Sequence, residues 1–243
     1  MSTARPGLEP NYEALIFDFN GVLIWDRELH REAWKRCAER HVGRSLERAE
    51  FEREVLGRPN SYIAGYLLER SPSPDEVAAI SSEKEETYRE LCRAHPEMFA
   101  LSPGARWLLE TLSSCGVPKT IATSSEHENL RFFIEELELE RWFDPDLISY
   151  EDGSIPGKPA PDIYLRAARR LARSPQRCVV VEDSAAGVEA ARAAGIGCVV
   201  RLVESTEETP QRPNADFAIT RLDQLPLGEL FPACRHLVRP TGR

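Results

Sequence analysis

The chain has 243 residues, of which 42% are hydrophobic, and its formal net charge is −9 at pH 7. This length suffices for one large domain or for a core domain with an insertion. The acidic balance argues against binding to nucleic acids or anionic membranes, and the sequence lacks the run of about 18 apolar residues typical of a membrane span. The first residues, MSTARPGLEPN, show no apolar segment of a secretory signal. The six cysteines have no CxxC spacing, which is typical of reduced thiols, so we expect a cytoplasmic protein.

The predicted elements begin with a buried strand over residues 14–18, ALIFD. Residues 28–95 then show apolar residues at helical spacing and no strand pattern. Four helices are predicted, in the stretches ELHREAWKRCAERH, SLERAEFEREVLG, NSYIAGYLLER and SPDEVAAISSEKEETYRELCRAH. Gly57 is expected to end the second helix, and Ser73 or Asp75 is expected to cap the fourth. The pattern therefore predicts a four-helix module that follows the first strand.

After residue 96 the pattern alternates between strand and helix. The predicted helices cover residues 105–114, 126–137, 161–172 and 185–194, and the predicted strands cover residues 119–123, 147–149, 178–182, 197–200 and 217–219. Such alternation predicts an α/β fold with a doubly wound parallel sheet. We expect a core domain of residues 1–25 and 96–231, a helical cap of residues 26–95 inserted into it, and a loose tail of residues 232–243.

Polar residues lie at the predicted strand ends and in the adjoining loops. They are Asp18, Thr123, Ser124, Lys158, Glu182 and Asp183. Each has an ordinary explanation when taken singly, such as a helix cap, a solvated lysine or a structural threonine. Ligands of open parallel sheets bind at the carboxyl ends of the strands, however, and all six residues are predicted at that edge. Their joint placement favours a functional site.

Phosphoryl transfer is the chemistry that fits these residue types. A carboxylate can attack phosphorus and carry a covalent intermediate, and Mg²⁺ prefers oxygen ligands from one or two carboxylates together with substrate phosphate. A lysine and a hydroxyl can stabilise the charge of the transferring oxygens. Because three crowded carboxylates repel one another, we expect a Mg²⁺ ion beside Asp18, Glu182 and Asp183.

Four motifs in order, FDFNGVL, IATSS, GKPAPDIY and VVVEDSAAGVEAARAAG, resemble those of the haloacid dehalogenase superfamily. The chain is similar to its phosphatase and β-phosphoglucomutase-like branch from about Glu13 to Asp223. The resemblance implies an enzyme that acts on a small phosphorylated metabolite, such as a sugar phosphate. The resemblance implies that Asp18 is the phosphorylated nucleophile and that Thr123 and Lys158 bind the phosphoryl group. It also implies that Ser124 and Ser125 contact the substrate. Mg²⁺ binding is implied for Asp183 and for the backbone carbonyl of Asn20, and Glu182 is expected to support the metal or its water.

The predicted helical module resembles the mobile cap of this family. The segment LHREAW implies that His30 and Trp34 face the substrate, and Lys84 stands where such caps carry a lysine that holds a distal phosphate. Two structural alternatives stay open. Trp34 is equally suited to the core of the cap, and Lys84 to a solvated face of an acidic helix.

Asn20 departs from the family pattern, in which an aspartate at this position protonates the leaving oxygen and then helps to deprotonate the acceptor. An amide does neither at ordinary pH, and positioned acid–base catalysis contributes typically about 10²–10⁴-fold. Three interpretations are open: an engineered substitution in a normal phosphatase, a natural and slow enzyme, or a binding protein. A dehalogenase is a further alternative, although the Glu182-Asp183 pair favours the phosphatase branch.

A mutase is the remaining alternative, and two departures weaken it. Asn60 stands about where mutase-like members carry an arginine, and Glu126-His127 replaces their Lys-Asn. Both changes remove positive charge that would hold phosphate. We therefore expect hydrolysis of a monoester rather than mutase activity.

Overall fold

The computed structural model describes residues 11–56, 58–203 and 215–237. Gly57, the expected end of the second helix, and residues 238–243 of the expected tail lie outside the described residues. Within the described ranges, no helix combines the length and the apolar character that a membrane span requires. The chain forms two compact units, a helical one over Asp26–Ala100 and a second one made of the residues before and after it. The domain boundaries predicted from the sequence remain a prediction.

The second unit is built on one parallel sheet. Its strands among the described residues are β1 (Ala14–Phe17), β2 (Lys119–Glu126), β3 (Ser149–Glu151), β4 (Cys178–Glu182), β5 (Cys198–Leu202) and β6 (Phe217–Ile219). Their order in the sheet is β3-β2-β1-β4-β5-β6, and every neighbouring pair is parallel. The order places the first strand in the middle, so β1 and β4 end side by side at the carboxyl edge.

From β2 to β5 one α-helix lies between each pair of consecutive strands, whereas the helices of the helical unit all lie between β1 and β2. The described helices are α1 (Arg27–Val42), α2 (Arg48–Glu50), α3 (Asn60–Leu68), α4 (Pro74–Ala94), α5 (Ala105–Ser114), α6 (His127–Glu136), α7 (Asp162–Arg170), α8 (Ala185–Ala193) and α9 (Leu227–Leu230). The predicted doubly wound α/β architecture is thereby confirmed for the sheet and its helices.

The central strands are apolar along their whole length because the sheet is covered. All four residues of β1 and all five of β4 are buried, as expected for parallel strands with helices on both faces. On one face, Ile16 and Val180 pack with Tyr164 of α7 and Val188 of α8 in one core cluster. Burial of these strands fixes the positions of the residues that follow them.

The helical unit has a core of its own. Trp34 and Cys37 of α1 pack with Phe51, Ile63 of α3 and Ile80 of α4. The second predicted helix is shorter than expected, because α2 continues as a π-helical turn at residues 51–55. The fourth helix begins as predicted at Ser73, whose hydroxyl accepts a hydrogen bond from the Glu76 amide at 3.2 Å.

Three predicted boundaries need correction. β3 covers Ser149–Glu151 rather than residues 147–149, because Pro145–Leu147 forms a 3₁₀ turn. β2 extends beyond residue 123 to Glu126, which pairs with Glu151 of β3. The tail was expected to be loose from residue 232, but Pro232–Leu237 forms a 3₁₀ helix in which Cys234 is fully buried.

The capping box at the start of α4 yields a stability prediction. Replacing Ser73 by alanine removes the acceptor for the Glu76 amide, and we expect a loss of about 1 kcal/mol in the free energy of unfolding. Urea denaturation followed by circular dichroism measures this loss. Ser71→Ala in the same exposed loop is the matched control and should leave the unfolding free energy unchanged. Equal effects of the two substitutions would contradict a capping role.

Candidate active site

The site is organised around Asp18, the residue directly after β1. Its amide donates to the Val181 carbonyl of β4 at 3.0 Å, which continues the sheet pairing by one residue. Its side chain is nearly buried. Burial raises the pKa of this carboxyl to about 7, although the attraction of Lys158 opposes the rise. A carboxylate held rigidly at the sheet edge is thus available to act on a ligand.

Lys158 joins the carboxylates that follow the two central strands. Its Nζ donates to Asp18 Oδ1 at 2.6 Å and to Glu182 Oε1 at 2.5 Å. Burial alone would lower the pKa of Lys158, but the two carboxylates outweigh it and raise the pKa well above its usual range. The lysine is therefore a fixed positive charge.

Glu182 is fully buried, and both of its carboxylate oxygens accept hydrogen bonds from the protein. Oε1 accepts from Lys158 and from the Tyr164 hydroxyl, the latter at 3.0 Å, and Oε2 accepts from the amide and the hydroxyl of Ser184 at 2.8 and 3.0 Å. Burial alone would raise the pKa of Glu182, but Lys158 and Ser184 together lower it. Glu182 therefore stays ionised despite its burial.

Two glycines make room for the acidic residues. A Cβ at Gly21 would lie 2.2 Å from Asp183 Oδ2, and Gly21 has a φ of +82°, in the left-handed region that favours glycine. A Cβ at Gly187 would lie 1.7 Å from Glu182 Oε1. The chain thus needs glycine at both positions for Asp183 and Glu182 to keep their places.

The remaining predicted residues of this unit lie at the ends of β1 and β2. Asn20 is partly buried, and its Oδ1 accepts a hydrogen bond from the Ser125 hydroxyl at 2.8 Å. Thr123 is buried, and its hydroxyl accepts from the Ser125 amide at 3.0 Å. Ser124 is exposed at the same strand end. The Thr123 hydroxyl therefore holds the Ser125 backbone, and the Ser125 hydroxyl holds the Asn20 side chain.

The acidic group has the composition of a metal site. One carboxylate oxygen from each of Asp18, Glu182 and Asp183 lies within 4.8 Å of the other two. Hard oxygen donors of this kind fit Mg²⁺, and a cation would relieve the repulsion among them. Because both Glu182 oxygens already accept hydrogen bonds, Asp18 and Asp183 are the better placed direct ligands.

In the helical unit, three residues predicted to face a substrate form one cluster. Lys84 is 3% exposed, and its Nζ lies 2.9 Å from His30 Nδ1, 5.6 Å from the centre of the Trp34 ring and 5.3 Å from that of Tyr88. The alternative of a solvated Lys84 is wrong. Trp34 is also 3% exposed and belongs to the apolar core, which favours its structural alternative.

Comparison with known proteins assigns the family. The model of the haloacid dehalogenase-like hydrolases matches residues 12–195. The chain belongs to the haloacid dehalogenase-like hydrolase family.

Curated and solved relatives agree with this assignment. A "Phosphorylated carbohydrates phosphatase" of Thermotoga maritima is 33% identical over 81% of this chain and 88% of the relative. A "Beta-phosphoglucomutase" of Mycobacterium bovis is 27% identical over 90% of this chain and 93% of the relative. The crystal structure of a family IA, variant 3 hydrolase from Entamoeba histolytica superposes with a TM-score of 0.84, at 36% identity, over 92% of this chain and 99% of that one. The predicted resemblance and hydrolase class are confirmed.

Sequence reasoning missed several residues that shape the site of this hydrolase. Tyr164 stands inside the motif GKPAPDIY, yet nothing in the pattern links its hydroxyl to Glu182. Ser184 reads as a helix cap, and it does cap α8 through the Gly187 amide at 3.0 Å, but the same residue also binds Glu182. The contact of Ser125 with Asn20 joins residues that are 105 positions apart. Only the folded sheet brings such pairs together.

The raised pKa of Asp18 predicts a pH dependence of metal binding. Below pH 7 the carboxyl is protonated in the metal-free protein, so a proton competes with the cation. We expect the Kd for Mg²⁺ to rise as the pH falls through 7, by about tenfold per unit well below it. Calorimetric titration with Mg²⁺ from about pH 5.5 to about pH 8 measures this trend. Asp18→Asn should bind more weakly and lose the trend; a trend that persists in this variant would assign it to another group.

The close approach of Gly21 to Asp183 gives a second prediction. Gly21→Ala forces Asp183 to move, and we expect a loss of about tenfold or more in Mg²⁺ affinity. Gly116→Ala is the matched control, because Gly116 has a φ of +66° while a Cβ there meets no atom within 4 Å. Backbone strain is then common to both variants, and loss of Mg²⁺ affinity is expected only for Gly21→Ala. A normal Mg²⁺ affinity of the Gly21 variant would remove Asp183 from the metal site.

Proposed function

We propose that the protein is a Mg²⁺-dependent phosphatase of small phosphorylated carbohydrates, with Asp18 as the nucleophile and an aspartyl-phosphate as the intermediate. The observation that carries the proposal is the buried Asp18 carboxylate, bonded to Lys158 and grouped with Glu182 and Asp183 at the edge of the sheet. The phosphatase of Thermotoga maritima, named for phosphorylated carbohydrates, supports the substrate class.

In the proposed reaction an Asp18 oxygen forms a bond to phosphorus while the bond from phosphorus to the leaving oxygen breaks. Lys158 and Thr123 stabilise the charge on the phosphoryl oxygens, and Ser124 and Ser125 contribute hydroxyls at the same strand end. Asp18, Asp183 and the Asn20 carbonyl would hold Mg²⁺, while Glu182 anchors Lys158. When bound, the ion neutralises phosphate and carboxylate charge.

The proton transfers are the weak part of this reaction. Asn20 has no acidic proton, and its amide oxygen is engaged by the Ser125 hydroxyl. The leaving oxygen must therefore depart as an anion or take a proton from solvent, and the attacking water has no carboxylate base at position 20. Both steps slow most for esters with poor leaving groups, such as alkyl phosphates.

His30 does not compensate for Asn20 in this proposal. Its Nε2 lies 3.1 Å from Asp26 Oδ2, its Nδ1 lies 2.9 Å from Lys84 Nζ, and its ring stacks on Tyr88 with centroids 4.0 Å apart. Both ring nitrogens are engaged. We propose that His30 and Lys84 serve substrate recognition, with Trp34 as their support.

The mutase alternative has one observation in its favour, the β-phosphoglucomutase of Mycobacterium bovis that matches 90% of this chain. Such a reaction transfers the phosphoryl group of Asp18 to a hydroxyl of a sugar that already carries a phosphate. The acceptor hydroxyl must then lose a proton, which Asn20 cannot take. Hydrolysis remains the better supported function.

The test compares the protein with its Asn20→Asp variant on a panel of sugar phosphates and one activated aryl phosphate, each with and without Mg²⁺. We expect the variant to gain about 10²-fold or more on an alkyl ester, because it regains the proton carrier. The native protein should show a burst with the aryl phosphate, followed by slow turnover as the phosphoenzyme accumulates.

Asp18→Asn is the control for both measurements and should abolish the burst. Full rates of the native protein on alkyl phosphates, without a burst, would contradict the role given to Asn20. Absence of turnover in every variant would favour a binding protein.

A further inference from the structure

Tyr164 of α7 is fully buried beside the ion pair of Lys158 and Glu182. Its hydroxyl donates to Glu182 Oε1 at 3.0 Å, and the centre of its ring lies 5.1 Å from Lys158 Nζ. The residue packs in the apolar core with Ile16 and Val180. Phenylalanine would fill that core equally well, without a polar group that has to be satisfied in the interior. The hydroxyl is therefore the part of this residue that packing does not explain.

We propose that Tyr164 is a positioning residue of the phosphoryl site, whose hydroxyl takes over part of the charge of Glu182 so that Lys158 can turn from the carboxylates to a phosphoryl group. This role rests on the proposed function, because it concerns the lysine that the proposed reaction assigns to the phosphoryl oxygens. Tyr164 itself does not touch the substrate and acts through Lys158.

Glu182 Oε1 is shared between two donors. Lys158 Nζ lies 2.5 Å from it and the Tyr164 hydroxyl 3.0 Å from it. Burial and the charge of Glu182 raise the pKa of Tyr164 well above its usual range, so the hydroxyl stays protonated and remains a donor. Without this hydroxyl, more of the charge on Oε1 would fall to Lys158. A buried carboxylate with fewer donors holds its remaining partner more tightly, so Lys158 would be less available to a ligand.

Lys158 already divides its protons among several acceptors. Besides Glu182, its Nζ donates to Asp18 Oδ1 at 2.6 Å and to the Ala122 carbonyl at 3.4 Å. Because an ammonium group has three protons, a phosphoryl oxygen must replace one of these acceptors. Leaving a buried carboxylate is costly when it loses its donors. Glu182 keeps the Tyr164 hydroxyl on the same oxygen, so the exchange costs less there.

The fold ties Tyr164 to the segment that carries the lysine. Lys158 lies in the loop before α7, and Tyr164 lies in the first turn of that helix, where its amide donates to the Pro161 carbonyl at 3.1 Å. Glu182 is the last residue of β4. The Tyr164 hydroxyl thus anchors the lysine-bearing segment to the strand that carries the carboxylate, and the segment keeps its place when Lys158 changes its acceptor.

Calorimetric titration of the full chain with inorganic phosphate at saturating Mg²⁺ tests the proposal. Tyr164→Phe keeps the ring and removes only the hydroxyl. We expect the Kd for phosphate to rise about tenfold, because Glu182 then holds Lys158 more tightly. The Kd for Mg²⁺, titrated without phosphate, should change by less than about twofold, because the hydroxyl bonds to Glu182 rather than to the better placed metal ligands. A merely structural role would weaken both affinities together.

Tyr12→Phe is the matched control. Tyr12 is also buried, and its hydroxyl donates to the Gly197 carbonyl at 3.1 Å. Tyr12 precedes β1, whereas Asp18 follows that strand. The variant therefore loses a buried tyrosine hydrogen bond of the same kind away from the site. It should leave the Kd for phosphate unchanged.

Lys158→Gln shows whether Tyr164 acts through the lysine. In this background Tyr164→Phe should raise the Kd for phosphate by no more than about twofold, because the group that the hydroxyl positions is gone. If Lys158→Gln fails to fold or to bind phosphate, the comparison of Tyr164→Phe with Tyr12→Phe decides alone.

Four outcomes would overturn the proposal: an unchanged Kd for phosphate in Tyr164→Phe, equal losses of phosphate and Mg²⁺ affinity, a loss that persists in full without Lys158, or no phosphate binding by the native protein. Failure of the proposed function is seen separately, as the absence of an Asp18-dependent burst with the aryl phosphate. A normal burst together with unchanged phosphate affinity in Tyr164→Phe would reject the role of Tyr164 alone.

Discussion

The ion pairs of Lys158 are the interaction on which the site depends. The sheet order puts β1 beside β4, and each strand delivers a carboxylate to the same place, Asp18 and Glu182. Two buried carboxylates at this spacing repel each other, and Lys158 makes their coexistence possible by donating to both. The Tyr164 and Ser184 donors complete the pairing by holding Glu182 in the geometry that Lys158 requires. The strand order therefore brings two carboxylates together, and Lys158 in the loop before α7 compensates their charge.

The position of the site could be predicted from the sequence because it follows from strand periodicity. An apolar run that ends in Asp18, and another that ends in Glu182 and Asp183, define two buried strands whose polar ends meet at one sheet edge. The supporting contacts could not be predicted, because they depend on side-chain directions in the folded chain. Tyr164 lies in a predicted helix, yet the direction of its hydroxyl is set by the packing of α7. The burial of Lys84 could not be predicted either. Its sequence context is an acidic helix, which left a solvated lysine as an alternative, and only the packing of α1 against α4 buries it.

In the proposed reaction Asn20 can serve only one of two roles: its backbone carbonyl can bind Mg²⁺, but its amide side chain cannot transfer a proton. The backbone at Asn20 lies in the turn after β1, and that turn is held by main-chain hydrogen bonds to the Phe19 carbonyl and by Gly21, whose amide donates to the Ile24 carbonyl. None of these contacts involves the side chain, so an amide in place of a carboxylate leaves the turn intact. The Ser125 hydroxyl even finds an acceptor in Asn20 Oδ1. Loss of proton transfer is thus compatible with an undisturbed nucleophile and acidic group, which is why the proposed defect is chemical rather than structural.

Both units bury a lysine against carboxylates, and the difference between the two lysines explains their proposed roles. One partner of Lys158 is Asp18, which the proposed reaction converts into a phosphate ester. Phosphorylation removes the charge of that carboxylate and leaves Lys158 available to the phosphoryl oxygens, so this pairing is exchanged during the reaction. The partners of Lys84, His30 and Glu85, take no part in bond formation. Lys158 can therefore bind the phosphoryl group once Asp18 is phosphorylated, whereas Lys84 keeps its pairing with Glu85 throughout the proposed reaction.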